Sequence, residues 1–231
     1  MIKLENAYFR WKKDGPILLQ IPKFRVRCGE RVFIKGPSGS GKTTFLNLLG
    51  GVSIPETGLV SIMDTDMSTL GGAGRDAFRA DHIGYIFQMF NLIPYLSLIE
   101  NVTLPCRFSA KRRQRVLSQA STIEEEAKRI LSGLELDVTK ISSQPVSQLS
   151  IGQQQRVAAA RSIIGSPELV IADEPTSSLD RDVRASFLEL LFREVRNTKI
   201  TLVFVSHDSS LESNFDRTVS LTELNQAERQ E

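Results

Sequence analysis

The stretch Val32-Phe33-Ile34-Lys35-Gly36-Pro37-Ser38-Gly39-Ser40-Gly41-Lys42-Thr43-Thr44-Phe45-Leu46 decides how the rest of the chain is read. Its first residues read as a buried strand, its glycines as a turn, and Thr43 to Leu49 as an apolar helix. Gly36 to Thr43 matches G-x-x-x-x-G-K-[ST], in the strand-to-helix setting that this pattern requires. Gly39 and Gly41 let the backbone curl so that successive amide N–H groups face phosphate oxygens, helped by the positive end of the following helix. Lys42 would then bridge the terminal phosphates, and the Thr43 hydroxyl would complete the coordination of Mg²⁺, a hard ion that prefers oxygen.

Working outward, the same alternation recurs. Leu169-Val170-Ile171-Ala172 and Thr201 to Val205 read as further buried strands. Asp182 to Arg196 reads as an amphipathic helix with Phe187, Leu188, Leu191, Phe192 and Val195 apolar. Strands alternating with helices imply an α/β core. Residues 90 to 165 differ, being poor in strand signals and helical in period. There Ser121-Thr122-Ile123-Glu124 fits a capping box, after which Ile123, Ala127, Ile130, Leu131 and Leu134 share a face. This stretch is expected to be a helical lobe inserted into the sheet domain. The basic cluster Lys111, Arg112, Arg113 and Arg115 sits at a loop-to-helix junction and leaves two readings, a solvated face or a contact with lipid headgroups or a partner. The polar tail Asn225 to Glu231 is expected to fray.

Composition bounds the class. The 231 residues suit one compact unit with a side lobe, and 41% apolar with 24% charged residues excludes disordered and fibrous chains. No run approaches the ~18 uninterrupted apolar residues of a membrane-crossing helix. The first twenty residues alternate charged and apolar side chains, so the mature protein is expected to start near Met1 and not to cross a bilayer. A formal charge of +2 predicts no nucleic-acid partner. Cys28 and Cys106 lack CxxC partners, which argues against a disulfide framework or a zinc site and for two buried thiols in a reducing cytosol.

A second chemical signal lies at Leu169-Val170-Ile171-Ala172-Asp173-Glu174, where two carboxylates end a buried strand, the edge at which open α/β sheets bind ligands. Asp173 would hold Mg²⁺ largely through its water shell. Glu174 would orient or deprotonate a water opposite the γ-phosphate.

With Leu149-Ser150-Ile151-Gly152-Gln153-Gln154-Gln155-Arg156, the chain resembles the ABC ATPases, whose signature sequence this stretch matches. The motif order agrees along nearly the whole chain: the cradle at Gly36, Gln88 in Ile86-Phe87-Gln88, the signature at Ser150, then Asp173-Glu174, Ser177-Ser178-Leu179-Asp180 and Ser206-His207-Asp208. The resemblance implies an ABC-type P-loop NTPase core, with a mixed sheet, an antiparallel N-terminal β subdomain and an inserted helical subdomain. Residues 1–89 and 166–231 would form the nucleotide-binding core of a single domain, and about 90–165 the helical subdomain. It also implies that Gly36, Pro37, Ser38, Gly39, Ser40, Gly41, Lys42, Thr43 and Thr44 bind ATP, with Trp11 stacking on adenine and Tyr8 or Phe9 as substitutes. Thr43, Gln88 and Asp173 would hold Mg²⁺. Lys42, Gln88, Glu174 and His207 would form the catalytic set, with His207 contacting the γ-phosphate. Ser150, Gly152 and Gln153 would act on the nucleotide of a second copy, and Asp180 would belong to the dimer contact, so a homodimer on ATP binding follows. One departure is Ile151, where the family usually has the first of two adjacent glycines.

Phe78-Arg79, Ile83 to Gln88, Phe90 to Pro94 and Glu100 to Pro105 resemble the subgroup that includes LolD, the ATPase domain of MacB and FtsE. That resemblance implies an ATPase of the lipoprotein-release or macrolide-efflux type, peripheral on the cytoplasmic face of the inner membrane. Its partner would be an integral membrane permease of MacB/FtsX type. The alternative is an FtsE-like nucleotide-gated adaptor that transmits force or signal. Met89, Phe90, Leu92, Ile93, Tyr95 and Leu96 either receive a coupling helix of that partner or pack within the helical lobe. Ser177-Ser178 replaces the subgroup's usual Gly-Asn, and Val219 to Glu223 lacks its Asp-Gly hairpin.

Overall fold

The computed structural model describes residues 1–141, 144–177 and 179–227. Strand alternation sets its beginning: β1 (Ile2–Phe9) buries Ile2, Leu4, Ala7 and Phe9, and β2 (Leu19–Val26) buries Leu19, Ile21, Phe24 and Val26. They pair antiparallel, Ile2 opposite Val26 and Phe9 opposite Leu19. There follow β3 (Arg31–Lys35), α1 (Lys42–Leu49), β4 (Thr57–Ile62), β5 (Thr65–Asp66), α2 (Gly72–His82) and β6 (Ile83–Ile86). The helical stretch is α3 (Leu98–Phe108), α4 (Ala110–Leu117), α5 (Ile123–Gly133), α6 (Val138–Ile141) and α7 (Ile151–Ile163). The chain closes with β7 (Leu169–Asp173), α8 (Arg181–Thr198), β8 (Thr201–Ser206), β9 (Arg217–Ser220) and α9 (Leu221–Leu224).

The chain divides into two compact units. The first comprises Met1–Arg79 and Val203–Glu231. It holds an antiparallel sheet in the order β2-β1-β4-β5, and strands in the order β8-β3-β9, of which β3 and β9 pair parallel with Ile34 opposite Val219. Its core is aromatic: Phe33 stacks on Phe204 at 6.1 Å, Phe215 leans on both, and Phe24 meets Phe45 edge-on at 5.2 Å. Asn225 pins the chain's last turn to β2, since its Oδ1 accepts from the Gln20 amide at 2.8 Å and its Nδ2 donates to the Leu18 carbonyl at 2.9 Å. The tail expected to fray is thus anchored at its start, because an edge strand offers backbone groups that need partners. Residues 228–231 of that expectation lie outside the described residues.

The second unit, Ala80–Leu202, orders its strands β6-β7-β8, with β6 and β7 parallel and Gly84 opposite Val170. Helix α7 lies so close on β6 that a Cβ at Gly84 would sit 2.0 Å from the Ser162 carbonyl oxygen. Small residues on α7, Ala158, Ala159 and Ala160, are fully buried and permit that approach. In α5 the expected face holds for Ala127, Ile130, Leu131 and Leu134, which are buried, while Ile123 at its start is half-buried. Its cap is one residue later than expected: Thr122 Oγ1 accepts from the Glu125 amide at 3.1 Å. The α/β class is the one the sequence predicts, and the antiparallel N-terminal sheet is the one the family resemblance implies.

Two expectations are corrected. Cys28 is exposed, because it lies in the tight turn between β2 and β3; Cys106 is buried, and burial pushes its thiol up to about 11. The basic cluster on α4 is not one solvated face. Helical period turns Arg112 inward, where it is 1% exposed and donates to the carbonyls of Ser162 and Ile164 at the end of α7. Its burial lowers the guanidinium to about 10.

Candidate functional site

The predicted residues fall into two sets, one on each unit. On the first unit, β3 delivers the chain into Gly36 and α1 carries it away from Gly41. Gly41 takes φ +89°, a left-handed conformation that favours glycine, and has no side chain with which to cap α1. A Cβ at Gly36 would lie 2.6 Å from Ser40 Oγ, so a side chain there would make Ser40 move. Ser40 Oγ is buried without a hydrogen-bond partner among the described residues. The buried Lys42 ammonium folds back over the loop, donating to the carbonyls of Gly36 at 2.9 Å and Pro37 at 3.0 Å. Pro37, Ser38 and Gly39 are exposed on the loop and Thr43 on the first turn of α1, where Thr44 is buried.

Trp11 follows the end of β1 and is 63% exposed, with its ring held edge-on by Phe9 at 5.0 Å. Phe9 is buried and the Tyr8 hydroxyl accepts from Gln20, so Trp11 is the aromatic of the three that presents its ring to a ligand. His207 is exposed just past β8, on a turn fixed from both sides. The Asp208 amide donates to Ser206 Oγ, and the Asp208 carboxylate accepts from Ser210 N at 3.0 Å and Oγ at 2.6 Å.

On the second unit, Asp173 ends β7 and Glu174 takes φ +44°. A left-handed non-glycine residue costs about 1–2 kcal/mol, and such strain clusters at working sites. The turn is held by the Ser177 amide, which donates to the Glu174 carbonyl at 3.2 Å. It is held as well by buried Gln155 on α7, whose Nε2 donates to the Pro175 carbonyl at 2.6 Å. Sequence reading quoted Gln155 only as part of the signature; its burial on the helical period was the available signal.

Ser150 caps α7 in a reciprocal box: its Oγ accepts from the Gln153 amide at 3.3 Å, and Gln153 Oε1 accepts from the Ser150 amide at 2.9 Å. Ile151 points to solvent at the first helical position, which is how a β-branched residue is accommodated there. Gly152 has room, a Cβ there standing 3.7 Å from Val183. Asp180 occupies the cap of α8 without a side-chain capping bond, and the neighbouring Ser178 lies outside the described residues.

Gln88 is exposed at the end of β6. The loop beyond it is held by two residues that sequence reading did not single out. Arg161 donates to the carbonyls of Phe90 and Asn91 at 2.6 and 2.7 Å, both of which have positive φ. Asn101 accepts from the Ile93 amide at 2.8 Å and donates to the carbonyls of Ile93, Leu96 and Ser97. Of the expected apolar surface, Met89 and Tyr95 are exposed, whereas Phe90 is buried.

The family model described as ABC transporter matches residues 19–177. The lipoprotein-releasing system ATP-binding protein LolD of Cytophaga hutchinsonii is 43% identical over 197 residues, covering 85% of each chain. The macrolide export ATP-binding/permease protein MacB of Rhodopirellula baltica is 37% identical over 218 residues, which are 94% of this chain and 31% of that one. Among solved structures, a dimeric post-hydrolysis state of the ATP-binding cassette MJ0796 bound to ADP and Pi has a TM-score of 0.81 at 33% identity, covering 100% of this chain and 98% of the other. A protein of that name comes from Methanocaldococcus jannaschii. The fold is thus of the P-loop NTPase type in its ABC form, and with a family match over most of its length the chain belongs to the ABC transporter family.

Proposed function

We propose that this chain is the ATP-binding and ATP-hydrolysing subunit of a transporter of the lipoprotein-release or macrolide-efflux type. It works as a homodimer formed on ATP binding, on the cytoplasmic face of the inner membrane, and drives a separate integral membrane permease of the MacB/FtsX type. The observation that carries this reading is the loop from Gly36 to Thr43, in which glycine at φ +89° opens α1 and a buried lysine spans the turn. Such a loop presents backbone amides and an ammonium to a polyphosphate.

In this reading Trp11 stacks on adenine, the loop with Thr44 holds the phosphates, and Lys42 neutralises charge at the terminal ones. Thr43, Gln88 and Asp173 all offer oxygen donors, the set that suits Mg²⁺, and the bound ion would neutralise charge on the phosphates. Glu174 accepts a proton from the water whose oxygen attacks the γ-phosphorus, ADP leaves, and His207 holds a γ-phosphate oxygen. Ser150, Gly152 and Gln153 reach the nucleotide of the partner copy, with Asp180 at the dimer contact. Within one copy the Ser150 hydroxyl accepts from the Gln153 amide, which leaves its O–H to donate to a phosphate of the partner copy when two copies close.

Glu174→Gln tests the reading. With ATP and Mg²⁺ the variant should elute as a dimer and lose about 10³-fold in turnover. A monomer at saturating ATP overturns the composite site. Turnover measured with and without the membrane subunit then separates a transport ATPase from an FtsE-like adaptor.

A further inference from the structure

We propose that the corner between α3 and α4 is a docking face for an anionic lipid surface, which this chain contacts directly rather than only through a membrane subunit. Residues 105–120 contain Arg107, Lys111, Arg112, Arg113 and Arg115 and no aspartate or glutamate. Helical period sorts these cations into two jobs. Arg112 and Arg115 turn inward: Arg112 caps the end of α7, and Arg115 donates to the Ser166 carbonyl at 2.7 Å and pairs with Glu168. They fasten α4 in place. Arg107, Lys111 and Arg113 turn outward, and with them stands Phe108, 74% exposed.

The corner is rigid. Ser109, buried between the two helices, accepts from the Arg112 amide at 3.0 Å and donates to Asp81 at 2.6 Å. Three of the acids near it are already engaged. Glu126 pairs with Arg129, Glu168 with Arg115 and His82, and Glu100 accepts from the Ser97 amide and hydroxyl. Arg107 and Arg113 make no ion pair among the described residues, whereas Lys111 meets His82 Nε2 at 3.4 Å and the edge of the Glu168 group at 3.9 Å. Arg107 and Arg113, exposed beside a protruding aromatic ring, are what an anionic bilayer surface attracts: the charges meet headgroups and the ring enters the interface. A headgroup array needs no matching groove, so this face suits lipid better than a folded partner. The inference goes beyond the proposed activity and does not depend on nucleotide.

The test is co-sedimentation of the full chain, without nucleotide or membrane subunit, with vesicles of phosphatidylglycerol and phosphatidylcholine or of phosphatidylcholine alone. The wild type should pellet with the anionic vesicles and be released by high salt. Charge reversal in the double variant R107E/R113E should lower the partition coefficient at least about tenfold, and Phe108→Ala should weaken it about threefold. Neutral R107Q/R113Q, which removes no ion pair, serves should the reversed variant misfold. Equal pelleting on both vesicle types, unchanged pelleting of the variants, or no pelleting of the wild type overturns the proposal. If vesicles fail while R107E/R113E loses capture by the membrane subunit, the face is a protein dock and the lipid reading is wrong.

Discussion

Helix α1 opens on Gly41, which has no side chain to cap it, whereas α7 opens on Ser150, whose hydroxyl and Gln153 close a reciprocal box. Both helices begin with backbone amides that need acceptors. α7 supplies its own from two adjacent side chains, so its start is stable before any ligand arrives. α1 leaves that supply to the loop and to whatever anion the loop receives, and it takes a left-handed glycine to shape the approach. The first arrangement favours holding a helix in place, the second favours binding. In the proposed cycle one phosphate meets α1 of one copy and α7 of the other, where the capping hydroxyl of Ser150 keeps a proton to donate.

The widest separation between the two helix starts should come from Gly41→Val. A β-branched residue at φ +89°, with its Cβ 3.2 Å from Leu19, cannot keep the loop's shape, so ATP affinity should fall about 100-fold by titration calorimetry. Unchanged affinity would mean that α1 does not depend on this shape.

A smaller effect concerns the far end of α7, which α4 secures through Arg112 and through the Arg115–Glu168 pair. Burial would raise the Glu168 carboxyl, but hydrogen bonds from His82 and Arg115 outweigh it and hold the group down at about 2 against an ordinary 4.5. A carboxyl depressed in the folded state stabilises above its unfolded value, and that stabilisation is lost as pH falls through 4.5 toward 2. Glu168→Gln should therefore cost about 2 kcal/mol at neutral pH in urea unfolding, and the gap to wild type should close as the solution is acidified. A gap independent of pH would count against the ion pair.

The mildest change is Ser150→Ala. Loss of the cap should cost about 1 kcal/mol of stability and leave ATP affinity of the single copy unaltered. A fall in that affinity would show that Ser150 serves its own copy's nucleotide.

Much of this was legible in local patterns. The strand before Gly36, the helix after Thr43, the strand ending at Asp173 and the buried face of α5 follow from period and from residues with narrow backbone preferences. The cap of α5 was misread by one position because Ser121 and Thr122 are both good caps, and only the entry path of the chain chooses between them. The cluster on α4 was left with two readings, and neither foresaw that Arg112 finds buried carbonyls contributed by a helix fifty residues away. Cys28 did carry a local sign of the turn that exposes it, the following Gly29 at φ +73°.

By itself the sequence determined the α/β class, the phosphate loop, the order of the motifs and hence the family, since each rests on residues adjacent in the chain or on a fixed period. Only the tertiary structure decided which cations on α4 are buried and which face out. It alone showed that Gln155 holds the turn after Glu174, and that Arg161 and Asn101 fasten the loop beyond Gln88. Those outcomes depend on unsatisfied backbone carbonyls meeting donors from distant segments, and a carbonyl has no letter in the sequence.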